Sequence, residues 1–99
     1  MEKDVIIRIA IDQEERLLVK PKTMSFPYMY REAMEVHWDN EGKFLYSPKP
    51  KIWSYLEWYS QIIKAAKEQS CILSITKETE WANVPMDLKN EILNYQTSA

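Results

Sequence analysis

The sequence predicts a small α+β domain: one antiparallel sheet with two to three helices on one face, in the order ββα(β)αβα. Three observations carry that reading. Val5, Ile7, Ile9 and Ile11 alternate with Ile6, Arg8 and Ala10, a period of two rich in β-branched residues. Ile52, Tyr55, Leu56, Tyr59, Ile62, Ile63 and Ala66 recur at helical spacing further on. With 99 residues, 45% of them apolar, the chain has room for one core, and residues 1–99 are read as a single domain.

The first strand gives way to the polar run Asp12-Gln13-Glu14-Glu15, and Leu17 and Val19 then share one face of a second strand. A β-hairpin is expected, ended by Pro21, which has no amide hydrogen to extend a ladder. Residues 26–38 read two ways. At period 3.6, Phe26, Tyr30, Ala33 and His37 form a stripe; at period two, Met34, Val36 and Trp38 share a face. The good helix formers Arg31 to Glu35 favour the helix.

Asp39-Asn40-Glu41-Gly42 predicts a turn in which Gly42 supplies positive φ. A short strand from Lys43 to Ser47 follows, then a helix from near Pro50 to about Glu68. Cys71 to Ile75 reads as a short buried strand. Thr76 to Asn94 reads as a closing helix, broken near Pro85, with Trp81, Val84, Leu88, Ile92 and Tyr95 inward.

Three pieces of the chain carry a resemblance. They are Tyr30-Arg31-Glu32-Ala33 with Val36-His37-Trp38-Asp39; Leu45-Tyr46-Ser47-Pro48 with Trp53-Ser54-Tyr55 and Trp58; and Thr79-Glu80-Trp81 with Val84-Pro85. In these the sequence resembles short bacterial proteins of unknown activity carried on integron gene cassettes. The resemblance implies a mobile accessory gene. It brings no catalytic residue to any position.

Charge and composition exclude several classes. Thirteen basic and 15 acidic residues leave a net charge of −2, so no global field gathers nucleic acid or an anionic membrane. One cysteine forms no internal disulfide, and one glycine builds no phosphate loop. No apolar run approaches the roughly 18 residues that span a bilayer. With no signal peptide in MEKDVIIRIAID, a cytoplasmic protein is expected, without cofactor, metal, nucleic acid or membrane partner.

The chemistry-bearing residues offer little for catalysis. His37 and Asp39 would share a face in a strand, but the helix reading puts His37 in an apolar stripe. Cys71 heads an apolar strand and reads as core. One histidine leaves only carboxylates to complete a metal site. Asp12, Glu14 and Glu15 lack calcium-loop spacing and read as a solvated turn. Ser54-Tyr55-Leu56-Glu57 matches a capping box, but the proline-opened start upstream competes with it, so an exposed helical serine is expected. Lys20, Lys22, Lys43, Lys49 and Lys51 alternate with aromatics, a pattern that suits edge protection better than nucleic acid in an acidic chain.

Two features point to binding. On a helix opened at Pro50, Trp53 lies roughly 120° off the apolar stripe, and tryptophan is enriched at binding hot spots. Trp53, Tyr28, Phe26 and Tyr46 are therefore the expected ligand or partner surface, with a satellite core as the competing account. The closing helix carries Ala82, Met86 and Leu93 well away from its inner stripe, so it is expected either to be sandwiched within the domain or to place Met86 and Leu93 at a homodimer contact. The expected function is a partner-binding or regulatory interaction module. A small-molecule binder with an aromatic pocket is the alternative, and a small hydrolase or transferase the third.

Overall fold

The computed structural model describes residues 2–27, 29 and 35–98. Among these the order is β1 (Glu2–Ile11), β2 (Leu17–Pro21), β3 (His37–Asp39), β4 (Phe44–Tyr46), α1 (Tyr55–Glu68), β5 (Cys71–Ala82) and α2 (Met86–Ser98). The strands form one sheet in the order β3-β4-β2-β1-β5. The α+β class is as the sequence implies. The sheet, however, is mixed: β1 and β5 run parallel and the other pairs antiparallel.

Register sorts the side chains into two faces, because directly paired residues point the same way. Trp38, Leu45, Val19, Ile9 and Trp81 make one row across the sheet; His37, Tyr46, Leu18, Ala10 and Ala82 make the neighbouring row on the other face. The first face carries the core. Ile6, Ile9, Leu17, Val19, Leu45 and Leu73 pack there against Trp58, Tyr59, Ile62, Ala65 and Ala66 of α1 and Leu88 and Ile92 of α2. Both helices therefore lie on one face. No described helix is long and apolar enough to cross a membrane.

The first hairpin forms around Asp12. Its Oδ1 accepts the N–H groups of Glu14 and Arg16 at 3.0 and 2.8 Å, and its Oδ2 meets the Arg16 guanidinium at 2.7 Å. Burial pushes this carboxyl up, but the hydrogen bonds and charge of Arg16 hold it below its ordinary pKa. Asp4 does similar work at the far end of β2. It accepts Thr23 N–H, Met24 N–H, Val5 N–H and the Thr23 hydroxyl, all within 2.8–3.0 Å.

Four expectations are corrected. Residues 37–39 are strand, not the end of a helix, because pairing to Phe44–Tyr46 outweighs local propensity; Tyr28 and residues 30–34 of the ambiguous stretch lie outside the described residues. In the β3–β4 turn the left-handed residue is Lys43, φ 58°, not Gly42. Gly42 is needed for space: a Cβ there would strike the Phe44 ring and come within 2.8 Å of Asp39 Oδ2.

The segment from Thr76 to Ala82 continues β5 rather than opening a helix. A bulge hides its period: the partner of Ile6 is Ile75, but the partner of Arg8 is Glu80. Thr79 sits in that bulge, its hydroxyl accepting Thr76 N–H at 3.1 Å and donating to the Ile6 carbonyl. Helix α1 begins at Tyr55, and Ser54 is its N-cap after all. Ser54 Oγ accepts Glu57 N–H at 3.2 Å, and Glu57 Oε1 accepts Ser54 N–H at 2.9 Å.

Candidate functional site

That late helix start shapes the site, because it leaves residues 47–53 as a loop along α1. Ser47 is buried and fixes one end: its N–H donates to Leu17 O at 3.0 Å, and its Oγ accepts Leu17 N–H at 3.1 Å. Lys49 reaches Glu15 at 2.6 Å, and the Tyr55 hydroxyl donates to the Glu15 carbonyl at 2.9 Å. Pro48 and Pro50 restrict the backbone between these anchors. Ile52, expected in the helix's inner stripe, falls outside the helix and is 95% exposed.

Trp53 is 40% exposed and leans on Trp58, with ring centroids 4.8 Å apart and planes tilted by 49°. The two rings wall a groove of about 580 Å³ whose described lining includes Pro48, Lys51, Ile52, Gln61 and Glu35. A shallower hollow of about 200 Å³ follows α1 past Glu57, Ser60 and Lys64; Trp53 and Gln61 line both. Glu35 is held at φ 61°, in the left-handed region that a non-glycine residue seldom occupies.

Trp58 brings an unsatisfied donor to this wall. It is 6% exposed, and its indole N–H has no acceptor among the described residues. A buried donor left unpaired costs about 1–3 kcal/mol. Ser60 Oγ and the Tyr95 hydroxyl, 3.0 Å apart, tie α1 to α2.

The four residues named from sequence do not form one surface. Trp53 faces the groove. Phe26 is 1% exposed and packs edge-on against Trp38 at 5.7 Å, so it belongs to the core and cannot line a surface. Tyr46 lies on the sheet face opposite the helices, stacked on His37 at 5.2 Å beneath the Arg16 guanidinium at 4.6 Å. Tyr28 lies outside the described residues. Met86 is 65% exposed at the start of α2, while Leu93 is half-buried. Trp58 and Gln61 were not named as site residues from sequence, Ile52 was placed in the helix's inner stripe, and Lys51 was read as edge protection. The order Lys51-Ile52-Trp53 between prolines and a capping serine was the available signal.

No catalytic constellation forms among the described residues. His37 is exposed on one edge strand rather than buried in an apolar stripe. Cys71 is buried on the opposite edge strand, four strand spacings of about 4.8 Å away. Burial pushes the Cys71 thiol up, and the charges of Asp4 and Glu2 add to that, so it stays protonated at neutral pH. No group of three His, Cys, Asp or Glu side chains is placed to hold a metal among the described residues.

Residues 4–79 match the family model for the integron cassette protein Hfx_Cass5. The chain is also similar to the solved structure of integron cassette protein Hfx_Cass5, from the mobile metagenome of North West Arm Sewage Outfall. The two are 41% identical, the match covers 100% of this chain and 99% of that chain, and the TM-score is 0.50. No curated protein matches the chain. It belongs to the Hfx_Cass5 family of integron cassette proteins.

Proposed function

We propose that this protein is a partner-binding module and that it takes an extended segment of another protein across Trp53. The observation that carries this reading is the exposure of Ile52 and Trp53 side by side at the mouth of an aromatic-walled groove. Exposed large apolar side chains next to a concavity are where partners anchor. Trp53 lines two hollows in succession, which suits a chain longer than one side chain. The Gln61 amide on the groove wall gives a segment's carbonyls something to bond.

A small apolar ligand is the second reading. It is favoured by the groove volume of about 580 Å³, within the roughly 300–1,000 Å³ of small-molecule sites. Selection from a displayed random-peptide library separates the two. The partner reading expects enriched peptides that bind the wild-type protein and lose binding to Trp53→Ala and Ile52→Glu, both still folded by circular dichroism. Failure to enrich any peptide, or binding indifferent to both substitutions, contradicts it.

A further inference from the structure

The Trp53 face holds a protrusion and a concavity side by side. Ile52 stands 95% exposed, and the groove walled by Trp53 and Trp58 opens beside it. Charge on this face is balanced. Lys51 and Glu35 line the larger hollow, Lys64 and Glu57 the smaller, and none of the four has an ion-pair partner among the described residues. Glu57 gives one carboxylate oxygen to Ser54 N–H and keeps the other. Lys49, also on the larger hollow, is held by Glu15 at 2.6 Å. Each hollow therefore has one uncommitted cation and one uncommitted anion, and Trp53 and Gln61 belong to both. A face with its own knob and its own groove, neutral in sum, can be its own complement, which is what a two-fold interface requires.

We propose that this face pairs with a second copy of the chain, about a two-fold axis that crosses the line of the two hollows at Trp53. Such an axis sets the larger hollow of each copy against the smaller hollow of the other. Lys51 then meets Glu57 of the second copy, Glu35 meets Lys64 of the second copy, and symmetry makes each pair twice. Ile52 lies next to the axis and loses its water to Trp53 of the second copy. The chain's net charge of −2 sets little repulsion against the contact. The inference goes beyond the partner reading: in the free protein the groove is closed by a second copy, and a partner segment has to displace it.

Sedimentation velocity from low-micromolar to near-millimolar concentration tests this. The wild-type protein is expected to pass from monomer to dimer as concentration rises. Ile52→Glu, at an exposed site, should raise the dissociation constant about tenfold or more, as loss of a central apolar anchor implies. Lys64→Glu alone and Glu35→Lys alone should each weaken the dimer, because each sets like charges together across the axis, and added salt should lessen that loss. An equimolar mixture of these two single variants should dimerise about as tightly as the wild type, since one contact of the mixed pair is native and the other is reversed. Damage to the fold by either substitution would not be repaired by mixing. A wild-type protein that stays monomeric overturns the proposal, as does a dimer indifferent to Ile52→Glu or a mixture no tighter than the single variants. Each of these results leaves the partner reading to stand or fall on its own peptide selection.

Discussion

Trp53 and Trp58 touch face against tilted face, 4.8 Å between centroids, yet one is 40% exposed and the other 6%. Five residues apart in sequence, they do not share a helix, because Ser54 starts α1 between them. The outer ring thus stands on the inner one, and the core beneath Trp58 does not need Trp53 to be closed. That separation lets Trp53 change without unfolding the domain.

The cap that creates this arrangement can be tested alone. Ser54→Ala is expected to lower stability by about 1 kcal/mol, the usual worth of an N-cap hydroxyl. Glu57→Ala should have a smaller effect, and the double variant should lose less than the sum, because each bond of a capping box orients the other. Urea unfolding measures all three. Full additivity would contradict the reciprocal geometry.

Acid stability should depend on Asp4. Burial raises its pKa, but the hydrogen bonds from Met24, Thr23 and Val5 outweigh that and hold it below the ordinary 3.8. A carboxylate depressed in this way contributes stability that is complete above that value and is lost as pH falls through its folded-state pKa. Unfolding midpoints should therefore decline below about pH 4. Asp4→Ala should flatten that decline and cost roughly 1–3 kcal/mol at neutral pH, since Thr23 N–H and Met24 N–H lose their acceptor. An unchanged acid limb in the variant would contradict this.

The thiol should be inert. Cys71 is buried and its pKa is raised, so at pH 7.5 the native protein should react with iodoacetamide far more slowly than the urea-unfolded chain. Mass spectrometry of timed samples reads the difference. Equal rates in both states would mean the strand start at Cys71 opens readily.

How much of this was legible in the sequence depends on how local the cause is. The β1–β2 hairpin was readable because alternation and the turn lie within 20 neighbouring residues. The body of α1 was readable from its stripe, but its start was not: Pro50 opens a helix as plausibly as Ser54 caps one, and only packing decides. Trp53 was picked out for lying off the stripe of a helix it does not belong to; its exposure comes instead from the loop before Ser54. The C-terminal half of β5 was hidden by a bulge that breaks alternation, in a run, Lys77-Glu78-Thr79-Glu80, that suits a helix on propensity. Phe26 looked like a surface aromatic because its partner, Trp38, is distant in sequence.

The most direct measurement of the central claim is urea unfolding of Trp53→Ala beside its binding to a peptide selected on the wild-type protein from a displayed random library. A surface ring resting on Trp58 should cost about 1 kcal/mol when removed, well short of the roughly 3–5 kcal/mol of a buried tryptophan. The account therefore predicts a folded, nearly wild-type domain that no longer binds. A variant destabilised by 3 kcal/mol or more would place Trp53 in the core, and a folded variant that binds as well as the wild type would remove the groove from the function.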